Sequence, residues 1–344
     1  MKHHRNGGGF FLASLVQSWL HMDKRLILSV VLCVGVAGCN SKGQLKVWVA
    51  DEMTLLTELT SPTNANSLWD AKTRTVKLFS AANETISFQL VIDTPPGRYE
   101  RLSVKLNPLI RSGKGRISTR RIKLYKMLPV RVDHFPAWYL RLTCDQVKPM
   151  RIYDILLPAN SHRKVDFDIP KNGRLAIWVD VEVPRTALPG DYKGLLKIST
   201  GRIGGEDIDV NILLKVYDFV LPDMNPIVCI GGFSHEAIYR QFIKPDRRGQ
   251  PVTLPMRLDP KNPRIRKMLI IMRQLMRLAH RHRLDLFDRT LHPILKRDMY
   301  GAVVLDWTDY DDIVVPYLDG SAFEDGIGVS AWPLPWWVDG SDTF

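Results

Sequence analysis

The chain has 344 residues, enough for two domains that each bury a core without disulfide staples. Its 48 Lys and Arg outweigh 36 Asp and Glu for a formal net charge of +12. The basic residues are spread along the sequence and form no dense tract, which argues against nucleic acid as a partner.

Four cysteines stand at positions 33, 39, 144 and 229. They form no Cys-x-x-Cys and no ligand spacing with histidine, so neither a metal site nor any other cofactor is expected. Cys144 and Cys229 are left as two buried thiols or one long-range disulfide, and burial is the expectation.

Residues 1–38 read as a secretory signal. Met22-Asp23-Lys24-Arg25 precedes an apolar run from Leu26 to Ala37, and a start at Met22 would supply all that a signal needs. The run is about a dozen residues long, short of the roughly 20 needed to span a bilayer. Val36-Ala37-Gly38-Cys39 has the form of a lipobox: small residues enter a peptidase in extended form, and the Cys39 thiol accepts a lipid. Residues 39–44 would then be a lipidated linker, and two or three acyl chains would hold the body on a membrane. Asn40, in place of Asp, points to the outer membrane or cell surface of the envelope. Four basic residues and one acidic residue lie in the signal, which leaves the body 44 and 35, a net charge of +9.

Residues 45–222 alternate with period two and are rich in β-branched and aromatic residues. Strands are predicted at Leu45 to Ala50, Val76 to Ala81, Thr85 to Asp93, Leu102 to Asn107, Ile122 to Val132, Leu175 to Val183, Tyr192 to Ser199 and Ile208 to Phe219. Breakers such as Pro95-Pro96-Gly97 and Lys171-Asn172-Gly173 separate them. The pattern implies an all-β antiparallel sandwich. Pro189-Gly190 should make a tight turn, with the Tyr192 hydroxyl capping a nearby backbone group. Glu84 and Gln89 should serve backbone groups, and Trp178 should be core with Asp180 and Glu182 facing the other way.

Residues 223–344 change character. Ile227 to Gly231 reads as a strand buried on both faces. Ile265, Met268, Leu269, Met272, Leu275, Met276 and Ala279 fall on one face of an amphipathic helix, with Arg273, Arg277 and Arg281 on another. Leu284 to Phe287 is the next strand. This is a βαβ opening, the N-terminal part of an α/β barrel of (β/α)8 type. About 120 residues follow Pro222 against a typical 250 for such a barrel, so an incomplete one is expected.

Three stretches carry a family resemblance. Ala81-Ala82-Asn83-Glu84 running to Phe88-Gln89-Leu90-Val91-Ile92, Trp178 to Pro184 continuing to Leu188-Pro189-Gly190-Asp191-Tyr192-Lys193-Gly194, and Val216-Tyr217-Asp218-Phe219-Val220-Leu221-Pro222 together resemble glycoside hydrolase family 123-like proteins. The resemblance implies a β-sandwich followed by a barrel, and hydrolysis of N-acetylgalactosaminides assisted by the substrate's own acetamide. It further implies an adjacent Asp-Glu pair on a later barrel strand. The only Asp-Glu dipeptide here is Asp51-Glu52, ahead of the central strands, so the resemblance assigns no catalytic residue to this chain.

Barrel sites form at the C-terminal ends of strands, which nominates Phe233, Ser234 and His235 after the first strand, and Asp288 and Arg289 after the second, for glycan contact. Trp332 and Trp336 are nominated as flat faces for sugar rings. His235 could equally be a helix-start residue, and Asp288-Arg289 a local ion pair. His280 and His282 sit at a helix end, where cations complement the dipole. The reading is the amino-terminal portion of an exported lipoprotein glycoside hydrolase acting on N-acetylhexosamine glycans. The alternative is a non-catalytic carbohydrate-binding or structural lipoprotein of the cell surface.

Overall fold

The structure, a computed structural model, describes residues 45–133, 149–159, 161, 163–201, 207–223, 227–243, 254 and 257–333. The signal segment, Cys39, Cys144 and Trp336 lie outside the described residues. The chain divides into two compact units, Met1–Leu221 and Pro222–Phe344.

Unit 1 contains thirteen described strands: β1 (Lys46–Asp51), β2 (Trp69–Asp70), β3 (Thr75–Ala82), β4 (Glu84–Asp93), β5 (Arg101–Leu106), β6 (Leu109–Arg111), β7 (Arg116–Ile117), β8 (Ile122–Val132), β9 (Met150–Pro158), β10 (Lys164–Asp168), β11 (Arg174–Val183), β12 (Gly190–Ser199) and β13 (Asp207–Val220). One sheet runs β1-β4-β11-β8-β9, and the other runs β10-β5-β12-β13-β3-β2 with β6 and β7 attached to β12. Their inner faces meet in one apolar cluster that includes Phe88, Leu90, Ile177, Val179, Leu196, Ile198, Val210 and Ile212. Strand β13 shows why the chain folds this way. Ile208, Val210, Ile212, Leu214 and Val216 turn inward, while Asp207, Asp209, Asn211, Leu213 and Lys215 turn outward, as a period of two requires.

The central strands β4 and β11 are buried on both faces, because the segment between β1 and β2 folds over the outer face of their sheet. Gln89 Nε2 donates to the carbonyls of Asp51 (2.8 Å) and Thr54 (2.7 Å), and Asn66 Nδ2 donates to the Val49 carbonyl (2.8 Å). The expected backbone role of Gln89 holds. That of Glu84 holds as well, since its carboxylate accepts the Ala81 N–H at 2.7 Å. Asn83 takes the left-handed turn between β3 and β4 (φ 64°) and donates to the Leu221 carbonyl (2.9 Å). The Asn-Glu and Gln elements of the first motif are thus structural.

Two expectations for the sandwich need correction. It is not wholly antiparallel, because β3 and β13 pair in parallel; these strands are far apart in sequence, and local pattern does not encode which distant strand becomes a neighbour. Trp178 does not oppose Asp180 and Glu182 either. Period two places all three on one face, and Trp178 Nε1 donates to Asp180 Oδ1 at 2.6 Å. Tyr192 behaves as expected, its ring buried and its hydroxyl donating to the Leu188 carbonyl at 2.9 Å.

Gly173 closes the turn before β11 at φ +81°, and a Cβ there would stand 2.2 Å from the Thr94 carbonyl oxygen. Gly173→Ala therefore combines left-handed strain with a backbone clash. It should cost about 2–3 kcal/mol, read as a lower thermal midpoint of the sandwich transition.

Unit 2 opens with β14 (Ile230–Phe233), parallel to β15 (Asp285–Asp288). Between them run the short helix α1 (His235–Ile238), a π-helical turn (Tyr239–Ile243) and α2 (Pro263–Arg281). Asn262 caps α2 by accepting the Arg264 N–H (3.0 Å), and Pro263 fills the first turn, where its missing donor is harmless. The predicted face of α2, Ile265, Met268, Met272 and Met276, packs with Tyr310, Val314 and Tyr317 of α3 (Thr308–Leu318). Strands β16 (Ile294–Arg297) and β17 (Val303–Asp306) form a separate antiparallel hairpin. Among the described residues, unit 2 has one parallel strand pair and no larger parallel sheet.

Strand β14 starts at Ile230, later than expected, and is not buried on both faces: Ile230 is 53% exposed. Cys229 lies just before it as an exposed free thiol. Its expected burial fails because residues 227–229 form the approach to the strand and not the strand itself.

Candidate functional site

The C-terminal ends of β14 and β15 lie side by side, with Phe233 in register with Asp288. Beyond Phe233 the chain turns at Ser234, whose hydroxyl caps α1 by accepting the Ala237 N–H (3.4 Å). The next residue, His235, is thereby aimed at the end of β15. Its backbone N–H and its ring Nδ1 both reach Asp288 Oδ2 at 2.8 Å. The other carboxylate oxygen, Asp288 Oδ1, accepts the N–H and the hydroxyl of Thr290, each at 2.8 Å. Thr290 Oγ1 also lies 3.1 Å from His235 Nδ1 and 3.1 Å from Ser234 Oγ.

Asp288 presents none of its side-chain surface to solvent. Burial alone would raise its pKa, but the hydrogen bond and positive charge of His235, together with the Thr290 bonds, outweigh it and hold the carboxyl below the usual carboxylate range. The carboxylate is therefore ionised and acts only as an acceptor, which places the Nδ1 proton of His235 on the bond between them and leaves Nε2 as the working nitrogen. A depressed folded pKa adds stability at pH values above the unfolded carboxylate value of about 4. That contribution should be constant near neutrality and should fall away as acid protonates the group. Acid titration of unit 2 unfolding checks the sign.

The Thr290 hydroxyl stands at Nδ1, on the Asp288 side of the imidazole, and the Ser234 hydroxyl is engaged with Thr290 and the Ala237 N–H, so neither is bonded to Nε2. A Ser-His-Asp relay is not what this cluster builds. What it presents is an oriented imidazole nitrogen at a strand end. Arg289 continues the ladder through its N–H to the Phe233 carbonyl (3.0 Å), and its exposed side chain runs past Gly232, where a Cβ would meet Arg289 Cδ at 2.8 Å. The structure thus brings together His235, Asp288 and Thr290, whereas the Arg289 side chain lies along Gly232, with no Asp288–Arg289 ion pair among the described residues. The sequence placed Ser234 at the helix start beside His235, but Thr290 as a partner was missed. The signal was the Asp-x-Thr spacing, in which a carboxylate folds back on the N–H two residues on.

Trp332 sits elsewhere. It is half-buried, its Nε1 donates to the Tyr310 hydroxyl (3.0 Å), and its ring lies nearly parallel to Tyr317. His280 stacks on Phe323, with Nδ1 3.3 Å from Asp285 and Nε2 3.3 Å from Asp325. Among the described residues no three potential ligands cluster for a metal ion. Asp51 caps its own turn by accepting the Thr54 hydroxyl (2.7 Å), and Glu52 is exposed. A cavity of about 380 Å³ on α2 and α3, lined in part by Arg273, Arg277, Asp312 and Tyr317, includes none of the predicted site residues.

Residues 63–200 match the sequence model of the glycoside hydrolase 123 N-terminal domain. No curated protein sequence matches the chain. Among solved structures, a family 123 glycoside hydrolase from Clostridium perfringens, described for glycolipid glycan hydrolysis, superposes with a TM-score of 0.57 at 12% identity, covering 80% of this chain. This chain spans 46% of the clostridial one. The N-terminal domain of PorA (TM-score 0.23, 12% identity, 51% of this chain and 99% of that one) and the Yersinia enterocolitica fimbrial subunit MyfA (TM-score 0.24, 9%, 51% and 99%) are too distant in shape to bear on the fold. The sandwich of this chain is a glycoside hydrolase family 123-like N-terminal domain.

Proposed function

We propose that this chain belongs to an exported, lipid-anchored glycoside hydrolase acting on glycans that contain N-acetylhexosamine. One observation carries the proposal: the family 123-type sandwich is followed in the same chain by a βαβ unit whose strand ends hold His235 on the buried Asp288, with Arg289 next in the chain. In this reading β14, α2 and β15 open a (β/α)8-type barrel. His235 Nε2 and Arg289 contact hydroxyl or acetamide oxygens of the sugar, and Asp288 positions the imidazole.

Proton transfer to a leaving oxygen needs a free carboxyl with a raised pKa beside an ionised partner. The acids described in unit 2 near strands are otherwise engaged. Asp288 has His235 and Thr290, Asp285 has Ser330, and Asp306 has Arg257 and Lys296. The residues described here therefore suit recognition better than hydrolysis, and this favours a second reading, in which the chain binds glycan without cleaving it.

Titration of the protein with oligosaccharides ending in N-acetylgalactosamine or in plain galactose tests the shared element of both readings. Preference for the acetamido sugar, weakened about tenfold by His235→Gln, is the expected result, since one well-placed polar contact is worth about 1.4 kcal/mol. Equal binding by both proteins would remove His235 from the site.

A further inference from the structure

The outer face of the second sandwich sheet gathers residues that the sequence scatters. Parallel pairing of β3 and β13 sets Lys77 beside Leu213 and Phe79 beside Lys215. Antiparallel pairing with β12 adds Lys193 opposite Leu213 and Asp191 opposite Lys215, and β6 adds Ile110 opposite Lys193. Tyr217 and Phe219 continue the same face of β13. Phe79 is 65% exposed, Phe219 56%, Ile110 46% and Tyr217 42%. The rings touch one another: Phe79 lies edge-on to Tyr217 (6.4 Å), and Tyr217 stacks on Phe219 (6.3 Å). The exposed Lys77, Lys193 and Lys215 stand among them, with Asp191 in register with Lys215 and Asp70 near enough to Lys77 to feel its charge. Lys197, further along, is already paired with Asp209 (3.7 Å).

Such a face is larger and more aromatic than isolated surface apolar residues explain. Its chemistry separates two kinds of ligand. A sugar ring needs an open aromatic face, but Tyr217 has Lys215 Nζ over its ring (5.2 Å) and Phe219 stacked against it. A bilayer surface asks for something else: ring edges and aliphatic tips that enter the headgroup layer, and lysines whose stems lie along the apolar patch while their ammonium groups reach lipid phosphates. We infer that this face of the sandwich, built on Phe79, Tyr217, Phe219, Lys77, Lys193 and Lys215, docks the protein onto an anionic phospholipid surface.

The test is co-sedimentation of the full chain, carrying Cys39→Ser so that no acyl anchor contributes, with vesicles of phosphatidylcholine alone or mixed with phosphatidylglycerol. The mixed vesicles should bind about tenfold more protein than the neutral ones, and the excess should fall as salt screens the lysines. Lys77→Gln combined with Lys193→Gln should remove most of that tenfold excess and leave binding to neutral vesicles unchanged. Phe79→Ser combined with Phe219→Ser should lower binding to both vesicle types, with circular dichroism showing that the sandwich is intact. Undiminished binding by folded variants of both kinds would overturn the proposal. So would equal binding to neutral and anionic vesicles, or loss of all vesicle binding on adding a soluble neutral oligosaccharide.

Discussion

Replacing Arg174 by alanine should lower the stability of the sandwich by about 3–5 kcal/mol, the cost of leaving a largely buried carboxylate without its partner. The guanidinium holds Asp93 through two bonds, Nε to Oδ1 at 2.7 Å and Nη2 to Oδ2 at 3.1 Å. Its third nitrogen donates to the carbonyls of Thr57 (3.0 Å) and Thr60 (2.8 Å), and its plane lies over the Trp48 ring, whose own Nε1 donates to Asp93 Oδ2 (2.9 Å). One side chain therefore fastens β11 to β4 and pins the covering segment to the outer face of the first sheet. Lysine at 174 keeps the charge but not the fork, so Arg174→Lys should recover only part of the loss. A thermal midpoint lower by roughly 10 °C in Arg174→Ala is the expected reading for a unit of this size, and a change below about 2 °C would mean that the clasp carries little of the stability.

The second large effect is expected at Asp288. Asp288→Asn changes one oxygen into an amide nitrogen, so two of the four donors that converge on the carboxylate meet another donor instead of an acceptor. Buried and unsatisfied, they should cost about 2–4 kcal/mol in unit 2. Thr290→Val removes the hydroxyl that bonds Asp288 and Ser234 but leaves the Thr290 N–H bond in place, and should cost about 1–2 kcal/mol. Amide exchange separates this account from general loosening. The N–H groups of His235 and Thr290, both bonded to the carboxylate, should speed up in Asp288→Asn, while those in the middle of α2 should follow only the change in overall stability. Slow exchange at His235 and Thr290 in that variant would show that the carboxylate does not hold them.

These two residues also show how far the sequence could be read. Strand β11 was legible because its neighbours supply β-branched residues and a clear breaker at Gly173, but nothing local announces that Arg174 meets Asp93 across two strands. Strand β13 was legible throughout, since its inner and outer residues alternate without exception up to Val216. The missed strands are of three kinds. Strands β2 and β7, of two residues each, are too short to show a period. Strand β9 carries Ile155-Leu156-Leu157 in succession, all exposed, so alternation is absent where the strand exists. Strand β10 did carry a signal, with Val165 and Phe167 inward and Lys164, Asp166 and Asp168 outward.

The site was legible by position and not by partnership. His235 and Asp288 follow their strands closely enough for strand-end logic to nominate both, yet they are 53 residues apart in sequence. That one supplies the acceptor for the other follows only from the parallel pairing of β14 and β15. Trp332 shows the converse limit. A tryptophan among prolines near a chain end reads as a free platform, but its indole N–H is spent on Tyr310 and its ring packs in the core of unit 2. Composition does not reveal which aromatic residue finds a neighbour.

The most direct test of the proposed role is to offer the 344-residue protein an aryl 2-acetamido-2-deoxy-galactoside and follow release of the aryl alcohol beside binding of the matching free oligosaccharide. The account predicts binding that depends on His235 without measurable release, because the acids described near the strands of unit 2 are held by local partners. Turnover that disappears when one carboxylate between residues 45 and 333 is changed to its amide, in a variant that still folds, would contradict it.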